Sequence, residues 1–195
     1  IVRNASEFGY IDIQGTVVIA EKWAEGTDFA NDVAFTRSTN GNSYIINKIG
    51  DKIATLSSRQ YGSAYSEDFA LISEGDECYF FNSCAKTAFK TRYESALPFS
   101  GGYAAVKKDG LWGFINNRGS LEIQCIYSDA ASFSNNLAAV RDSAHGLWGY
   151  INTAGVYIIK PLYESAEPFE QGTAVVARDG AHYLIDNTGK ETLLY

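Results

Sequence analysis

The chain has 195 residues, a formal net charge of −7 and an aromatic content of 14%. The acidic balance disfavours nucleic acid as a partner, because binding to phosphate needs a basic surface. No run of residues is long and apolar enough to predict a transmembrane segment. The aromatic residues and the 18 glycines instead favour short strands separated by turns.

One unit is repeated six times along the chain. Each copy closes an apolar run with an Asp or Asn anchor, and these anchors are Asp12, Asn47, Asn82, Asn116, Asn152 and Asp186. Their spacing of 34 to 36 residues is typical of repeat architectures. It predicts a single repeat domain over 1–195, with units at about 1–30, 31–65, 66–100, 101–134, 135–170 and 171–195.

Unit five shows the predicted elements most clearly. Residues 138–141 predict a first strand, A, residues 148–152 a second, B, and residues 156–159 a third, C. Residues 161–169 then predict a corner that leads to strand A of the next unit. Short strands with regular turn signals indicate an all-β fold. We therefore expect a tandem array of six three-stranded antiparallel units.

The turn after strand B has a physical cause in the anchor residue. An Asx side chain can accept a hydrogen bond from the backbone two residues on, and a glycine three residues later tolerates a positive φ. That glycine is Gly15, Gly50, Gly119, Gly155 and Gly189, with Ala85 as the exception. Asp12 and Asp186 could instead bind calcium, but the other four anchors are Asn, which favours the turn.

Two sets of apolar residues, one in strand B and one in the corner, predict how the units pack. The two residues before each anchor are both apolar, which indicates that strand B is buried on both faces. The corner adds aromatic residues that we expect to lie between neighbouring sheets, namely Trp23, Tyr93, Tyr127 and Tyr163, followed by Phe29, Phe99, Phe133 and Phe169. Unit two departs from this pattern, with Arg59 and Tyr65 at about those positions.

The strand B sequences resemble those of the WG (KWG) β-repeat family. The resemblance rests on the segment Trp112, Gly113, Phe114, Ile115 and Asn116 with Gly119, and on Trp148, Gly149, Tyr150, Ile151 and Asn152 with Gly155. It implies a bacterial all-β repeat protein, often of the cell envelope or secreted. The resemblance implies no activity and no catalytic residues.

Three units replace the Trp-Gly pair by Ser43-Tyr44, Cys78-Tyr79 and His182-Tyr183. Adjacent residues of a strand face opposite sides of the sheet, so these tyrosines should lie on the other face from the tryptophans. We expect Trp112 and Trp148 to be substantially buried, each over a gap left by a small neighbour. Replacement of either by Ala should then cost about 3–5 kcal/mol.

The candidate chemical groups are few and scattered. His145 lies in the turn between strands A and B of unit five, and His182 occupies a Trp position, so neither shares an acid or nucleophile motif. Cys78, Cys84 and Cys125 lack CxxC spacing and give little support for zinc. We predict no enzyme activity, no cofactor and no metal site.

The sequence is compatible with two shapes of the array, an open curved stack or a closed ring like a six-bladed propeller. The variable copy number of the resembled family slightly favours the open stack. Residues 1–3 align with residues 105–107 inside strand A. The corner expected before that strand is missing, so we expect the chain to belong to a longer polypeptide.

The leading functional hypothesis is a non-catalytic binding or scaffold module that engages a protein partner, in the bacterial envelope or secreted. The alternative is a carbohydrate-binding surface module. A row of exposed aromatics would favour glycan, whereas an apolar patch would favour protein. Because units two and three break the repeat rule, they supply the candidate interface residues Tyr44, Tyr79, Glu67 and Asp68.

Overall fold

The computed structural model describes residues 1–4, 7–30, 32–84 and 87–194. It contains 21 strands, and the described residues form no helix. Strands that are neighbours in each sheet follow one another in the sequence, and the pairs are antiparallel. The all-β prediction is thus confirmed. No helix that could cross a membrane occurs in the described part of the chain.

The chain divides into two compact units, 1–92 and 93–195. In the first, a six-stranded sheet contains β1 (Val2–Asn4), β2 (Glu7–Ile11), β3 (Val17–Gly26), β4 (Val33–Ser38), β5 (Ser43–Asn47) and β6 (Lys52–Leu56). A four-stranded sheet follows, made of β7 (Gln60–Ser66), β8 (Phe69–Glu74), β9 (Glu77–Asn82) and β10 (Thr87–Ala88).

The second compact unit has the same organisation. Its seven-stranded sheet contains β11 (Ser95–Ala96), β12 (Tyr103–Lys108), β13 (Leu111–Asn116), β14 (Leu121–Ala130), β15 (Leu137–Asp142), β16 (Trp148–Asn152) and β17 (Tyr157–Tyr163). A four-stranded sheet closes the chain with β18 (Ser165–Ala166), β19 (Thr173–Arg178), β20 (Ala181–Asp186) and β21 (Glu191–Leu193). The prediction of one domain over 1–195 stays a prediction.

The structure adds a fourth strand to the predicted three-stranded unit. Four corners form a short ladder with strand A of the next unit, and the small corner residue lies opposite the fourth residue of that strand A. These pairs are Gly26–Thr36, Ala96–Val106, Ala130–Val140 and Ala166–Val176. In β3 and β14 the corner strand continues strand C without interruption, so consecutive units share one sheet.

The anchor residues form the predicted turns. Oδ1 of Asn152 accepts hydrogen bonds from the N–H groups of Ala154 and Val156, both at 3.0 Å. The Gly155 N–H donates to the Asn152 carbonyl at 2.9 Å, and Gly155 has φ +75°. Asp12, Asn47, Asn116 and Asp186 repeat this bonding. The turn role is thus confirmed for these five anchors, while Ala85 in the turn after Asn82 lies outside the described residues.

Strand B is buried on both faces in units two to five, as the sequence predicts, whereas Ile11 in strand B of unit one is 39% exposed. Ile151 belongs to the apolar cluster that joins units four and five, whereas its neighbour Tyr150 belongs to the cluster that joins units five and six. The corner aromatics fill these same clusters and are almost completely buried, namely Tyr127, Phe133, Tyr163 and Phe169. Unit five is therefore stabilised mainly by apolar contacts with the units before and after it.

Candidate functional site

The tryptophans of the Trp-Gly pair face the following unit. Trp112 lies opposite Tyr127, and Trp148 opposite Tyr163, in the ladders between strands B and C. Both tryptophans are partly buried and pack against the apolar clusters described above. The prediction that both tryptophans are substantially buried is thus confirmed, and the corner tyrosines fill the deeper part of each cluster.

The glycine of the pair is required by the backbone of strand C. A Cβ at Gly113 would meet the Ile123 carbonyl oxygen at 2.5 Å, and one at Gly149 would meet that of Ile159 at 2.6 Å. The ladder register shifts at this point, so extra residues of strand C cross over the glycine. The expectation that the small residue leaves a gap for Trp is wrong, since strand C fills that space.

The tyrosines that replace this glycine occupy the opposite face, as predicted. Tyr183 belongs to the cluster between units five and six together with Trp148, but it enters from unit six. Tyr44 and Tyr79 likewise belong to clusters that face the preceding unit. The ladders at Tyr44 and Tyr183 pair directly, without the shift seen at Gly113. A regular strand C therefore leaves room for the larger side chain.

A cation covers each of these three tyrosine rings. Lys52 Nζ lies 3.6 Å from the ring centre of Tyr44, while Arg92 and Arg178 lie 4.6 and 5.4 Å from those of Tyr79 and Tyr183. The side-chain hydrogen bond with Lys52 lowers the pKa of Tyr44. Tyr44 and Tyr79 are only 7% and 8% exposed, so their rings serve packing. Their role as interface residues stays a prediction.

A cavity of about 480 Å³ opens in unit two, where the aromatic pair is missing. Ser43 lies opposite Leu56 in the same ladder position that holds Trp112–Tyr127 and Trp148–Tyr163 in units four and five. Arg59, which the sequence pattern places at about the position of the corner tyrosine, is exposed, and the ladder gives that position to Leu56. Ser43 and Leu56, which carry no ring, thus occupy positions where two aromatic rings pack in units four and five. Both of them line the cavity.

The cavity has walls of mixed polar and apolar character, with one aromatic ring exposed at the surface. Arg37 and Glu25 line it and form an ion pair at 3.8 Å. Tyr61, also in the wall, is 57% exposed. Thr36 lines the cavity and is 4% exposed, and its hydroxyl has no hydrogen-bond partner within the described part of the chain. The site can accept a small ligand that forms hydrogen bonds.

Glu67 and Asp68 form the exposed two-residue turn between β7 and β8, with φ of +50° and +68°. The equivalent turns use Gly101-Gly102, Asn135-Asn136 and Gln171-Gly172, all with positive φ. Glycine and Asn adopt this backbone conformation more readily than Glu does. The turn at the start of unit three therefore carries two acidic side chains, whereas the equivalent turns of units four to six carry uncharged residues. Unit two has one acidic residue, Asp32, at this turn, also with a positive φ of 69°.

The histidines and cysteines do not converge on one site. His145 is exposed, and its Nδ1 lies 2.9 Å from the carboxylate of Asp142. The pKa of Asp142 is lowered, first by the hydrogen bond from the Leu147 N–H and also by His145. Cys78 is buried, Cys84 exposed and Cys125 intermediate, and all three are free thiols. No group of three potential metal ligands occurs among the described residues.

Sequence reasoning missed the cavity, although a signal for it was present. Ser43 and Arg59 were recognised as departures from the repeat, but neither residue alone predicts empty space. The ladder that places Ser43 opposite Leu56 shows that both members of one aromatic pair are lost together. Tyr61, Glu25 and Arg37 were not predicted as site residues, because their meeting depends on three separate strands.

Solved structures show the same kind of β-rich fold at low sequence identity. The computationally designed Ika8 protein aligns with a TM-score of 0.52 and 16% identity, over 91% of this chain and 64% of that one. Hsv2 from Kluyveromyces lactis aligns with a TM-score of 0.52 and 11% identity, over 87% of this chain and 63% of that one. The chain thus spans less than two thirds of either structure.

The sequence comparisons establish the family. No curated protein matches the chain significantly. The family model described as WG containing repeat matches residues 8–42, 85–112, 112–142 and 148–180, which is more than half of the chain. Residues 43–84, which supply much of the cavity wall and the acidic turn, fall between the matched segments. The chain therefore belongs to the WG containing repeat family.

Proposed function

We propose that this protein is a non-catalytic binding module that docks a protein partner on the exposed residues of β14 and β17 in units four and five. A recurring set of exposed aliphatic side chains supports the proposal. Ile126 and Leu162, which are 52% and 48% exposed, stand at the same position of their units, directly before the buried Tyr127 and Tyr163. Leu121 and Ile158 add exposed aliphatic surface to β14 and β17.

The repetition of these side chains separates them from ordinary surface residues. Single exposed aliphatic residues are common on soluble proteins and have no special meaning. An apolar side chain repeated at one position of successive units can instead form a continuous strip, and such strips are typical of protein-binding surfaces. The exposed large hydrophobic residues of β14 and β17 are aliphatic and not aromatic, which favours a protein over a glycan on these strands.

The proposal extends to the cellular setting and to the absence of catalysis. The resemblance to WG repeat proteins supports a bacterial protein of the cell envelope or a secreted one. The scattered positions of His145 and His182 support a role without enzyme activity or a cofactor. The net charge of −7 supports a partner other than nucleic acid.

Affinity capture from native cells with purified variants tests the proposal. The double variant I126E/L162E introduces charge into the proposed docking surface, whereas I13E/I49E introduces the same charge at two exposed turn residues of units one and two. A partner recovered with the wild type and with I13E/I49E is then purified, and its Kd is measured for each variant. We expect I126E/L162E to weaken binding at least tenfold. Equal Kd values for the two double variants would rule out this docking surface.

A further inference from the structure

We propose that the cavity of unit two binds a neutral saccharide, a ligand separate from the protein partner proposed above. The cavity and the proposed docking surface share no residue. The saccharide site therefore goes beyond the binding function of units four and five. It is defined by Glu25, Arg37, Ser43, Leu56, Gln60 and Tyr61.

The size of the cavity suits a small organic ligand. Its volume of about 480 Å³ lies within the range of roughly 300–1,000 Å³ that is common for such sites. The space lies where unit two departs from the repeat, because the pair Ser43–Leu56 replaces a pair of aromatic residues. Neighbouring strands still fix its walls through their ladders, so the cavity is formed before a ligand arrives.

The charge of the walls favours a neutral ligand. Glu25 and Arg37 have opposite charges and lie 3.8 Å apart, so they largely cancel each other's field. A phosphate would approach the Glu25 carboxylate, and a basic peptide would approach the Arg37 guanidinium. A ligand hydroxyl can donate to the carboxylate and accept from the guanidinium at once. A sugar ring carries several such hydroxyls on neighbouring carbons.

The remaining wall residues supply the other contacts that a sugar needs. Ser58 is a neutral group that donates and accepts hydrogen bonds. The Gln60 amide accepts from the Ser57 N–H and donates to Glu74, and it keeps one further donor and one further acceptor site. Tyr61 offers an exposed ring on which the apolar face of a sugar can lie, and Leu56 adds a buried apolar side chain. Gly62 keeps β7 close to β4, because a Cβ there would meet the Phe35 ring at 1.9 Å. This contact holds the neighbouring Tyr61 at the cavity.

Calorimetric titration of the full chain with defined saccharides tests the proposal. The probes are maltotriose, cellotriose and the trimer of N-acetylglucosamine, with tri-galacturonic acid as an acidic comparison. We expect at least one neutral probe to bind with a Kd of about 1 mM or lower and with little dependence on salt concentration. The acidic probe should bind more weakly than its neutral counterparts.

Three variants locate the site. Tyr61→Ala removes an exposed ring and should weaken binding about tenfold, while Ile49→Ala changes an exposed side chain of the same unit outside the cavity and should have no effect. Ser43→Trp restores the residue of the regular repeat, and it should fill the cavity and abolish binding. The docking variant I126E/L162E should bind the saccharide normally, so the two proposals can fail independently.

Two results would overturn the proposal. The first is a failed titration: either no neutral probe binds at about 10 mM, or a probe binds and Tyr61→Ala leaves its Kd unchanged. The second comes from a displayed library of short peptides screened against the same proteins. Peptides that bind the wild type and are lost with Tyr61→Ala, without any saccharide binding, would make the cavity a peptide site.

Discussion

Unit five and unit two solve the same packing problem with different side chains. In unit five, Trp148 and Tyr163 pair across the ladder, and an irregular strand C covers Gly149. In unit two, Ser43 and Leu56 form that pair, strand C pairs directly with Tyr44, and Lys52 covers the ring. Both arrangements bury both faces of strand B. An open cavity accompanies the second arrangement.

The comparison shows how a repeat protein can acquire a specific site without changing its fold. In a regular unit, aromatic residues fill the interior and pack it against the neighbouring units. The ladders and the Asx turns remain when one aromatic pair is lost, because backbone hydrogen bonds maintain them. Function can therefore arise where the scaffold residues are smaller, which agrees with local rule-breaking as a mark of functional sites.

The largest expected effect concerns the buried corner aromatics of the regular units. Phe169 is 1% exposed and packs against Tyr150 with ring centres 4.8 Å apart. Phe169→Ala should lower the free energy of unfolding by about 3–5 kcal/mol. Tyr65 stands at the comparable corner position of unit two and is only half-buried, so Tyr65→Ala should cost clearly less. Urea denaturation measures both, and equal losses would contradict the proposed difference between the units.

The tryptophan of the repeat should contribute less than the corner phenylalanine. Trp148 is partly exposed, so Trp148→Ala should cost about 2–3 kcal/mol, below the range for a fully buried ring. Ser43→Ala at the same position of unit two should change stability by less than about 0.5 kcal/mol. Urea denaturation measures the loss of stability for both variants. A loss of stability from Ser43→Ala as large as that from Trp148→Ala would show that the position matters in itself.

The glycine of the pair should not tolerate even a methyl group. Gly149→Ala places a Cβ against backbone atoms at 2.6 to 2.8 Å, and we expect it to cost about 1–3 kcal/mol. The exposed residue Lys160→Ala on the same sheet is the control. Thermal denaturation of the two variants should separate them by several degrees. A Gly149→Ala protein as stable as the control would refute the role of strand C.

The acidic turn tests whether units two and three carry an interface. Reversal of charge at Glu67 and Asp68 should reduce the association rate with the partner about threefold, because exposed charges at an interface mainly steer the encounter. Reversal at the exposed residues Glu167 and Glu170 of unit five provides the comparison. The measurement is the association rate at low and physiological salt. If both pairs of changes act equally, the acidic turn has no special role.

The smallest expected effect is a difference in thiol reactivity. Burial raises the pKa of Cys78 to about 11 and also raises that of Cys125, so both stay protonated near neutral pH. Since the folded state favours the protonated thiol of Cys78, this contribution to stability is present below pH 9 and is lost as the pH rises through about 11. A disulfide reagent at pH 8 should therefore modify the exposed Cys84 first. Faster reaction of Cys78 would show that this part of β9 opens readily.

The repeat itself was predictable because it depends on local chemistry. The anchors Asp12 and Asn152 determine a turn through their own side chains, and the glycine three residues later completes it. The all-β fold follows from the same turns, and the burial of the corner aromatics from their spacing. The fourth strand was not predicted, because two residues such as Ser95 and Ala96 carry too little pattern to indicate a ladder.

The sequence by itself determined the period, the turns, the residues of the core and the faces on which Trp148 and Tyr183 lie. Tertiary structure decided how much of each ring is buried, since Trp148 competes with Tyr163 for one cluster. It also decided that Gly149 is needed by the strand that crosses it rather than by the neighbouring tryptophan. The cavity was also decided by the tertiary structure, because Glu25, Ser43 and Tyr61 lie on separate strands and meet only through the ladders of the sheets. Local signals specify a turn within a few residues, whereas empty space depends on which side chains face it from several strands at once.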